Sequence, residues 1–222
     1  MSKIKYIITS SSLYYNDARS YVIDSLICNK IDIKDIFIIL NRSNNTYIKI
    51  GKHNTPTAIY LDSNIYEYSF FIGSMMLTDA KLVKTNDLFF LIHDTCIAGL
   101  KFLTKTTNAA IAYPKYDIIY ANNWGAHNIG IYNYKAITIG FNKFNYKEII
   151  NKSEAIDFER LKHLEYSPKS WNLKQFFPKY GNMYMGKVDP YEDNNLRICS
   201  YLAFFDLYKY FFWGGIDGAG TS

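Results

Sequence analysis

Apolar runs of strand length alternate with helical patterns along the first half of the chain. Three runs, at 4–9, 35–40 and 87–92, are almost continuously apolar and end in polar turns, as strands buried on both faces do. The segments 17–30 and 64–80 carry apolar residues at helical spacing. A strand, a helix and a strand in this order form a right-handed crossover between parallel strands. The pattern therefore predicts an α/β fold with a central, mostly parallel mixed sheet flanked by helices.

The rest of the chain is less regular. Strand patterns continue at 46–61 and 116–120, whereas the apolar segment 196–212, rich in Tyr and Phe, is predicted to form a last helix. Residues 214–222 are rich in glycine, which predicts a flexible tail. Since neither an internal repeat nor a clear linker interrupts residues 1–213, they are predicted to form one domain.

Composition and charge narrow the class of protein. Hydrophobic residues make up 49% of the 222 residues and charged residues 20%, which is a globular composition. The net charge of +5 is not gathered into a basic cluster, so it indicates no nucleic-acid partner but suits an anionic ligand such as a nucleotide diphosphate. Three cysteines without paired spacing argue against a disulfide framework and against a zinc site. No apolar stretch has the length of a signal peptide or a membrane helix, so we expect no integral membrane segment and a cytoplasmic location, in the host cytoplasm if the protein is viral.

Short polar turns follow the three apolar strands. They are Thr9–Ser12, Asn41–Ser43 and His93–Thr95. In an open α/β sheet, ligands bind outside the carboxyl ends of the strands. If the three strands are parallel neighbours, the turns converge on a single crevice, which predicts a ligand site there.

Asp94, directly after the strand at 87–92, is the most informative single residue. A carboxylate at this place can hold a hard cation such as Mg²⁺ or Mn²⁺, which takes one or two carboxylates together with substrate phosphates. The same carboxylate can instead cap the turn or helix that follows. From the residue alone both interpretations stay open.

Three longer segments resemble GT-A-type nucleotide-sugar glycosyltransferases, in particular the small viral and phage enzymes. They are DLFFLIHDTCIAG at 87–99, NNWGAHNIGIY at 122–132 and YEDNNLRICSYLAFFDLYKY at 191–210. The resemblance implies a GT-A-like, Rossmann-type domain that transfers a hexose from a UDP- or GDP-sugar donor to a hydroxyl acceptor on a glycan or glycoprotein. It also implies Mn²⁺ or Mg²⁺ bound through Asp94. The DxD motif of the family offers two carboxylates, whereas this chain offers only Asp94, with His93 as a second candidate ligand or an ordinary structural histidine.

Residues for the nucleotide part of the donor are expected at the polar turns and at the helix before Asp94. Thr9, Ser10 and Ser11 would meet the base or ribose, with an ordinary strand-to-helix turn as the alternative. Asn64 would face the donor, or would cap its own helix in a capping box with Glu67. The complete set of candidate donor-binding residues is Thr9, Ser10, Ser11, Asn41, Arg42, Asn64 and Thr95. Arg19 could reach a phosphate, although a solvated surface arginine is the favoured interpretation.

Residues for the sugar, the acceptor and the chemistry are expected further along the chain. Trp124, His127 and Asn128 combine a flat apolar face with hydrogen-bonding groups for a sugar ring, and a tight turn with a half-buried tryptophan is the alternative. Arg197 could neutralise the leaving diphosphate. Asp157 is the candidate base of an inverting mechanism, in a segment whose charges mostly face solvent.

Two other functions compete with sugar transfer. The His93–Asp94 dipeptide suggests a metal-dependent hydrolase. That function fits poorly, because such an enzyme needs further His and Asp ligands and the four histidines are scattered on unlike elements. The incomplete acidic motif would also fit a non-catalytic nucleotide- or carbohydrate-binding module. A transferase hydrolyses its donor slowly, whereas a binding module binds the donor without turnover.

Overall fold

A mixed sheet of eight strands forms the centre of the fold. The computed structural model describes residues 3–12, 16–63, 65, 68–121, 129–143, 173–176 and 196–212. In spatial order the strands are β3 (Tyr47–Lys49), β4 (Thr57–Tyr60), β2 (Ile36–Asn41), β1 (Ile4–Ser11), β5 (Leu88–His93), β8 (Gly130–Tyr132), β7 (Ile118–Ala121) and β9 (Leu173–Phe176). β1 runs parallel to both β2 and β5, β2 to β4, and β7 to β9, whereas the remaining three pairings are antiparallel. The predicted α/β fold with a mostly parallel mixed sheet is confirmed.

Helices cover both faces of the sheet, because the central strands are apolar on both sides. The helices are α1 (Asn16–Cys28), α2 (Ser69–Asp79), α3 (Phe102–Ala112) and α4 (Tyr134–Lys143). On one face, α2 and α4 pack against side chains that include Ile7, Ile39 and Leu91. On the other face, α1 and α3 pack against the alternate residues, including Ile8, Leu40 and Ile92. No helix in the described part of the chain is long and apolar enough to cross a membrane.

A second, smaller sheet corrects the prediction for the end of the chain. The segment 196–212 is an antiparallel hairpin of β10 (Leu196–Leu202) and β11 (Leu207–Phe212), and the predicted helix is wrong. β11 also pairs with β6 (Cys96–Ala98), the short strand that begins two residues after Asp94. Tyr and Phe favour strands where a partner is available, and β6 supplies that partner from a distant part of the sequence.

Asp206 holds the β10–β11 hairpin against the segment between β6 and α3. It adopts a left-handed conformation, with φ 57°, which Asp tolerates better than most residues. Its carboxylate accepts hydrogen bonds from the Tyr201 hydroxyl, at 2.6 Å, and from the Lys101 amide, at 2.7 Å. Its carbonyl accepts one from the amide of Gly99 at 2.7 Å. The hairpin is thereby held against the segment that leaves the Asp94 turn.

Tyr6 makes the stability of this core sensitive to alkaline pH. Its ring is 2% exposed, and burial raises the pKa of Tyr6 from 10.0 to about 12. Because the folded-state pKa lies above the unfolded value, the stabilisation is complete below about pH 10 and is lost as the pH rises toward 12. We expect the wild type to lose roughly 2–3 kcal/mol of unfolding free energy over that range through this group.

Chemical denaturation of Tyr6→Phe beside the wild type, at a series of alkaline pH values, checks this expectation. The phenylalanine variant keeps the ring but has no proton to lose, so its stability should fall less steeply above pH 10. Equal slopes for the two proteins would show that folding does not raise the pKa of Tyr6.

Candidate functional site

The carboxyl ends of β1, β2 and β5 meet at one edge of the main sheet. Ser11 is in register with Asn41 across β1 and β2, and Thr9 is in register with His93 across β1 and β5. The chain passes from β1 to β2 and β4 on one side and then crosses back to β5 on the other. Beside β1 the strand order therefore reverses, and this switch point is where open α/β sheets bind ligands. The three polar turns converge there as expected.

Ser10, Asp94 and Arg19 form a hydrogen-bonded cluster on the α1 face of this edge. Ser10 Oγ donates to Asp94 Oδ2 at 2.6 Å, and Arg19 Nη1 donates to Ser10 Oγ at 3.2 Å. Arg19 Nη1 also donates to the carbonyl oxygen of Ser11. Asp94 itself is only 9% exposed, and its amide donates to the Thr9 carbonyl at 3.2 Å. The acid is thus fixed to the end of β1 through both backbone and side chain.

Arg19 is part of this hydrogen-bonded cluster, so it is not the solvated surface residue that the sequence favoured. It lies in the first turn of α1 and is half-buried. Burial lowers the pKa of its guanidinium from the ordinary value, and the nearby Asp94 carboxylate opposes this effect. A guanidinium with so high an ordinary pKa stays charged, so the cluster carries a partly exposed cation.

Asn41 organises the opposite, α2-facing side of the same edge. Its Nδ2 donates to the Ser10 carbonyl at 3.1 Å and to Ser69 Oγ, at the start of α2, at 3.0 Å. Side chains alternate along a strand, so Thr9 and His93 also face this side, with Ile7 and Leu91, while Ser10 faces α1. Asn41 is 3% exposed and His93 is 5% exposed.

Arg42 and Thr95 lie in the polar turns that follow β2 and β5. Arg42 is exposed and takes a left-handed backbone conformation, with φ 62°. Its carbonyl accepts a hydrogen bond from Ser12 Oγ at 2.7 Å, so the first two turns are tied together. Thr95 is half-buried, and its carbonyl accepts from the Tyr210 amide at 2.8 Å. The second sheet is therefore joined directly to the turn that carries Asp94.

The described residues fit a divalent cation poorly. Asp94 is the one carboxylate in the cluster described above, and its Oδ2 already accepts a hydrogen bond from the Ser10 hydroxyl. His93, the second candidate ligand, faces the α2 side because it is in register with Thr9. Within the described ranges, no group of three or more His, Cys, Asp or Glu side chains could hold a metal ion. Metal binding by Asp94 and His93 stays a prediction.

The other sequence-predicted residues fall into two groups. Arg197 lies in β10, where its backbone is in register with Phe211 of β11. The amide of Tyr210, next to Phe211, donates a hydrogen bond to the Thr95 carbonyl. The end of the hairpin that carries Arg197 therefore lies toward the Asp94 turn. The remaining candidates lie outside the described residues: Asn64, Trp124, His127, Asn128 and Asp157.

Comparisons with known proteins find structural likeness but no sequence match. No protein-family model and no curated protein sequence matches the chain. The crystal structure of S. aureus TarS 1–349 aligns with a TM-score of 0.44 and 10% identity, covering 78% of this chain and 60% of that one. The same TarS fragment in complex with UDP aligns with a TM-score of 0.46 and 10% identity, at the same coverages. A glycosyltransferase involved in the glycosylation of the major capsid of PBCV-1 aligns with a TM-score of 0.45 and 9% identity, covering 79% of this chain and 82% of that one.

The chain thus spans 60% of the TarS 1–349 structure that it resembles. All three TM-scores are below 0.5. The assignment of the fold to the α/β class accordingly rests on the strand order and register of this chain.

Proposed function

We propose that this protein is a glycosyltransferase that moves a sugar from a nucleoside-diphosphate sugar to an acceptor hydroxyl on a glycan or glycoprotein. The observation that carries the proposal is the Ser10–Asp94–Arg19 cluster at the switch point of the sheet. A crevice at this position suits a nucleotide. The cluster offers hydroxyl and carbonyl groups together with one fixed cation, which suits a ribose and a diphosphate.

The reaction demands charge stabilisation at the diphosphate. The acceptor oxygen forms a bond to the anomeric carbon while the bond from that carbon to the diphosphate oxygen breaks, and the acceptor proton passes to a base. Negative charge grows on the leaving diphosphate, so a preorganised cation beside it lowers the barrier. Arg19 is a cation at the carboxyl end of β1, whereas Asp157 as the base of an inverting mechanism remains a hypothesis from the sequence.

Donor turnover tests the proposal. Incubation with a panel of UDP- and GDP-sugars, with and without Mn²⁺, should give slow release of the nucleoside diphosphate from one donor even without an acceptor, because water can replace the acceptor hydroxyl. Release is measured by chromatography of the nucleotides.

Each outcome of the panel points to one function. Release of the diphosphate from a single donor supports the transferase. Binding of a nucleotide sugar without any release, also in the presence of an oligosaccharide mixture, would point instead to a non-catalytic binding module. Hydrolysis of phosphate esters that lack a sugar would contradict both.

A further inference from the structure

We propose that Arg19, and not a divalent cation, neutralises the diphosphate of the donor, so that the nucleotide binds without metal. This inference rests on the proposed function and specifies the chemistry of the same site. It departs from the expectation of Mn²⁺ or Mg²⁺ at Asp94, because the described residues fit such an ion poorly.

The position of Arg19 matches the task. The residue reaches from the first turn of α1 to the carboxyl end of β1, where Nη1 donates to Ser10 Oγ at 3.2 Å and to the Ser11 carbonyl. These hydrogen bonds hold the side chain in place, and as a half-buried residue it keeps part of its surface exposed. A guanidinium is planar and can donate two parallel hydrogen bonds to phosphate oxygens.

Asp94 acts on the diphosphate through Arg19. Its Oδ2 accepts a hydrogen bond from the Ser10 hydroxyl at 2.6 Å, which directs the Ser10 lone pairs toward Arg19 Nη1. The negative charge of Asp94 also favours the charged guanidinium against the cost of burial. Asp94 is therefore a positioning residue, and it holds the cation that meets the ligand.

A metal ion on the same carboxylate would be disfavoured by the arginine. An ion bound to Asp94 would lie one serine hydroxyl away from the guanidinium, and two cations at such a distance in a half-buried site repel each other. His93 cannot offset this repulsion as a second ligand, since strand alternation directs it to the α2 side with Thr9. One carboxylate already engaged with Ser10 is a weak site for a divalent ion.

The test is isothermal titration of UDP and GDP into the full chain, first in EDTA and then in Mn²⁺ or Mg²⁺. We expect one nucleotide to bind in EDTA, with an affinity that the metal changes by less than about tenfold. Arg19→Gln should weaken binding of that nucleotide in EDTA by about tenfold or more, the usual effect of losing a hydrogen bond to a charged group.

Three comparisons distinguish the loss of the Arg19 charge at the diphosphate from a general structural effect of the substitution. The matching nucleoside, uridine or guanosine, should bind Arg19→Gln and the wild type equally, because it has no phosphate. Arg19→Lys should recover part of the affinity, since it restores the charge without the planar donor pair. Lys84 is an exposed residue before β5, at the end of the strand away from the cluster. Lys84→Gln also removes one positive charge, and this variant should bind the nucleotide as tightly as the wild type.

Two results would overturn the inference while leaving the proposed function standing. One is binding that disappears in EDTA and returns with Mn²⁺. The other is an Arg19→Gln protein that binds the diphosphate as tightly as the wild type. If the wild type binds neither nucleotide under either condition, the proposed function fails as well. Should Arg19→Gln not fold, the metal titration of the wild type and the Arg19→Lys variant decide the question.

Discussion

Asp94→Ala should lower the rate of donor turnover by about 100-fold or more, because it removes the carboxylate that organises the cluster at the switch point. The carboxylate accepts a hydrogen bond from the Ser10 hydroxyl and supports the charge of Arg19. Alanine removes both effects, and the Ser10–Arg19 pair loses the group that orients it. Loss of one preorganised electrostatic group commonly costs two to three orders of magnitude in rate, about 2.7–4 kcal/mol.

The measurement is nucleoside diphosphate release at saturating donor, with Asp94→Asn and Asp24→Asn made in parallel. Asp94→Asn keeps the shape but not the charge, and we expect most of the loss to remain. Asp24 is an exposed carboxylate further along α1, so its amide variant should turn over at the wild-type rate. A folded Asp94→Ala protein that works within a few-fold of the wild type would remove Asp94 from the account.

Phe90→Ala should destabilise the protein by about 3–5 kcal/mol, the usual cost of truncating a fully buried phenylalanine. Phe90 lies in β5, is 0% exposed and contacts the rings of Phe102 in α3 and Phe205 in the hairpin turn, with centroids 5.1 and 5.0 Å away. The ring therefore joins the main sheet, a helix and the second sheet. Alanine would leave a cavity where all three meet.

Urea denaturation gives the free energy for Phe90→Ala, and Leu100→Ala is the matched control. Leu100 is 94% exposed, so its truncation should change the unfolding free energy by less than about 0.5 kcal/mol. Equal and small effects for the two variants would mean that the hairpin does not pack on β5 as described.

The main sheet could be predicted because its information is local. Continuous apolar runs at 35–40 and 87–92 are typical of buried parallel strands, and both are strands in the structure. The hairpin at 196–212 could not be predicted in the same way. Its apolar and aromatic residues suit a buried helix and a strand equally well over a short run, and the strand β6 that pairs with it lies about 100 residues earlier.

The candidate site was predictable in position but not in composition. The convergence of the turns at Ser10, Asn41 and Asp94 follows from parallel strand order, and the structure shows it. The sequence offered Arg19 as a phosphate ligand but favoured a surface position, because its contacts with Ser10 and Ser11 depend on how α1 packs over the end of β1. The sequence did not indicate Ser69, whose hydroxyl accepts from Asn41. His93 and Asp94 point to opposite faces of the sheet because side chains alternate along a strand. The sequence could predict this only if the strand was known to extend through His93.

The most direct test of the central claim is a crystal structure of the full chain with the better-bound nucleoside diphosphate. The account predicts the diphosphate at the carboxyl ends of β1 and β5, with a phosphate oxygen within hydrogen-bond distance of the Arg19 guanidinium, roughly 2.7–3.2 Å. A nucleotide bound at another surface, with the Ser10–Asp94–Arg19 cluster closed to it, would contradict the account.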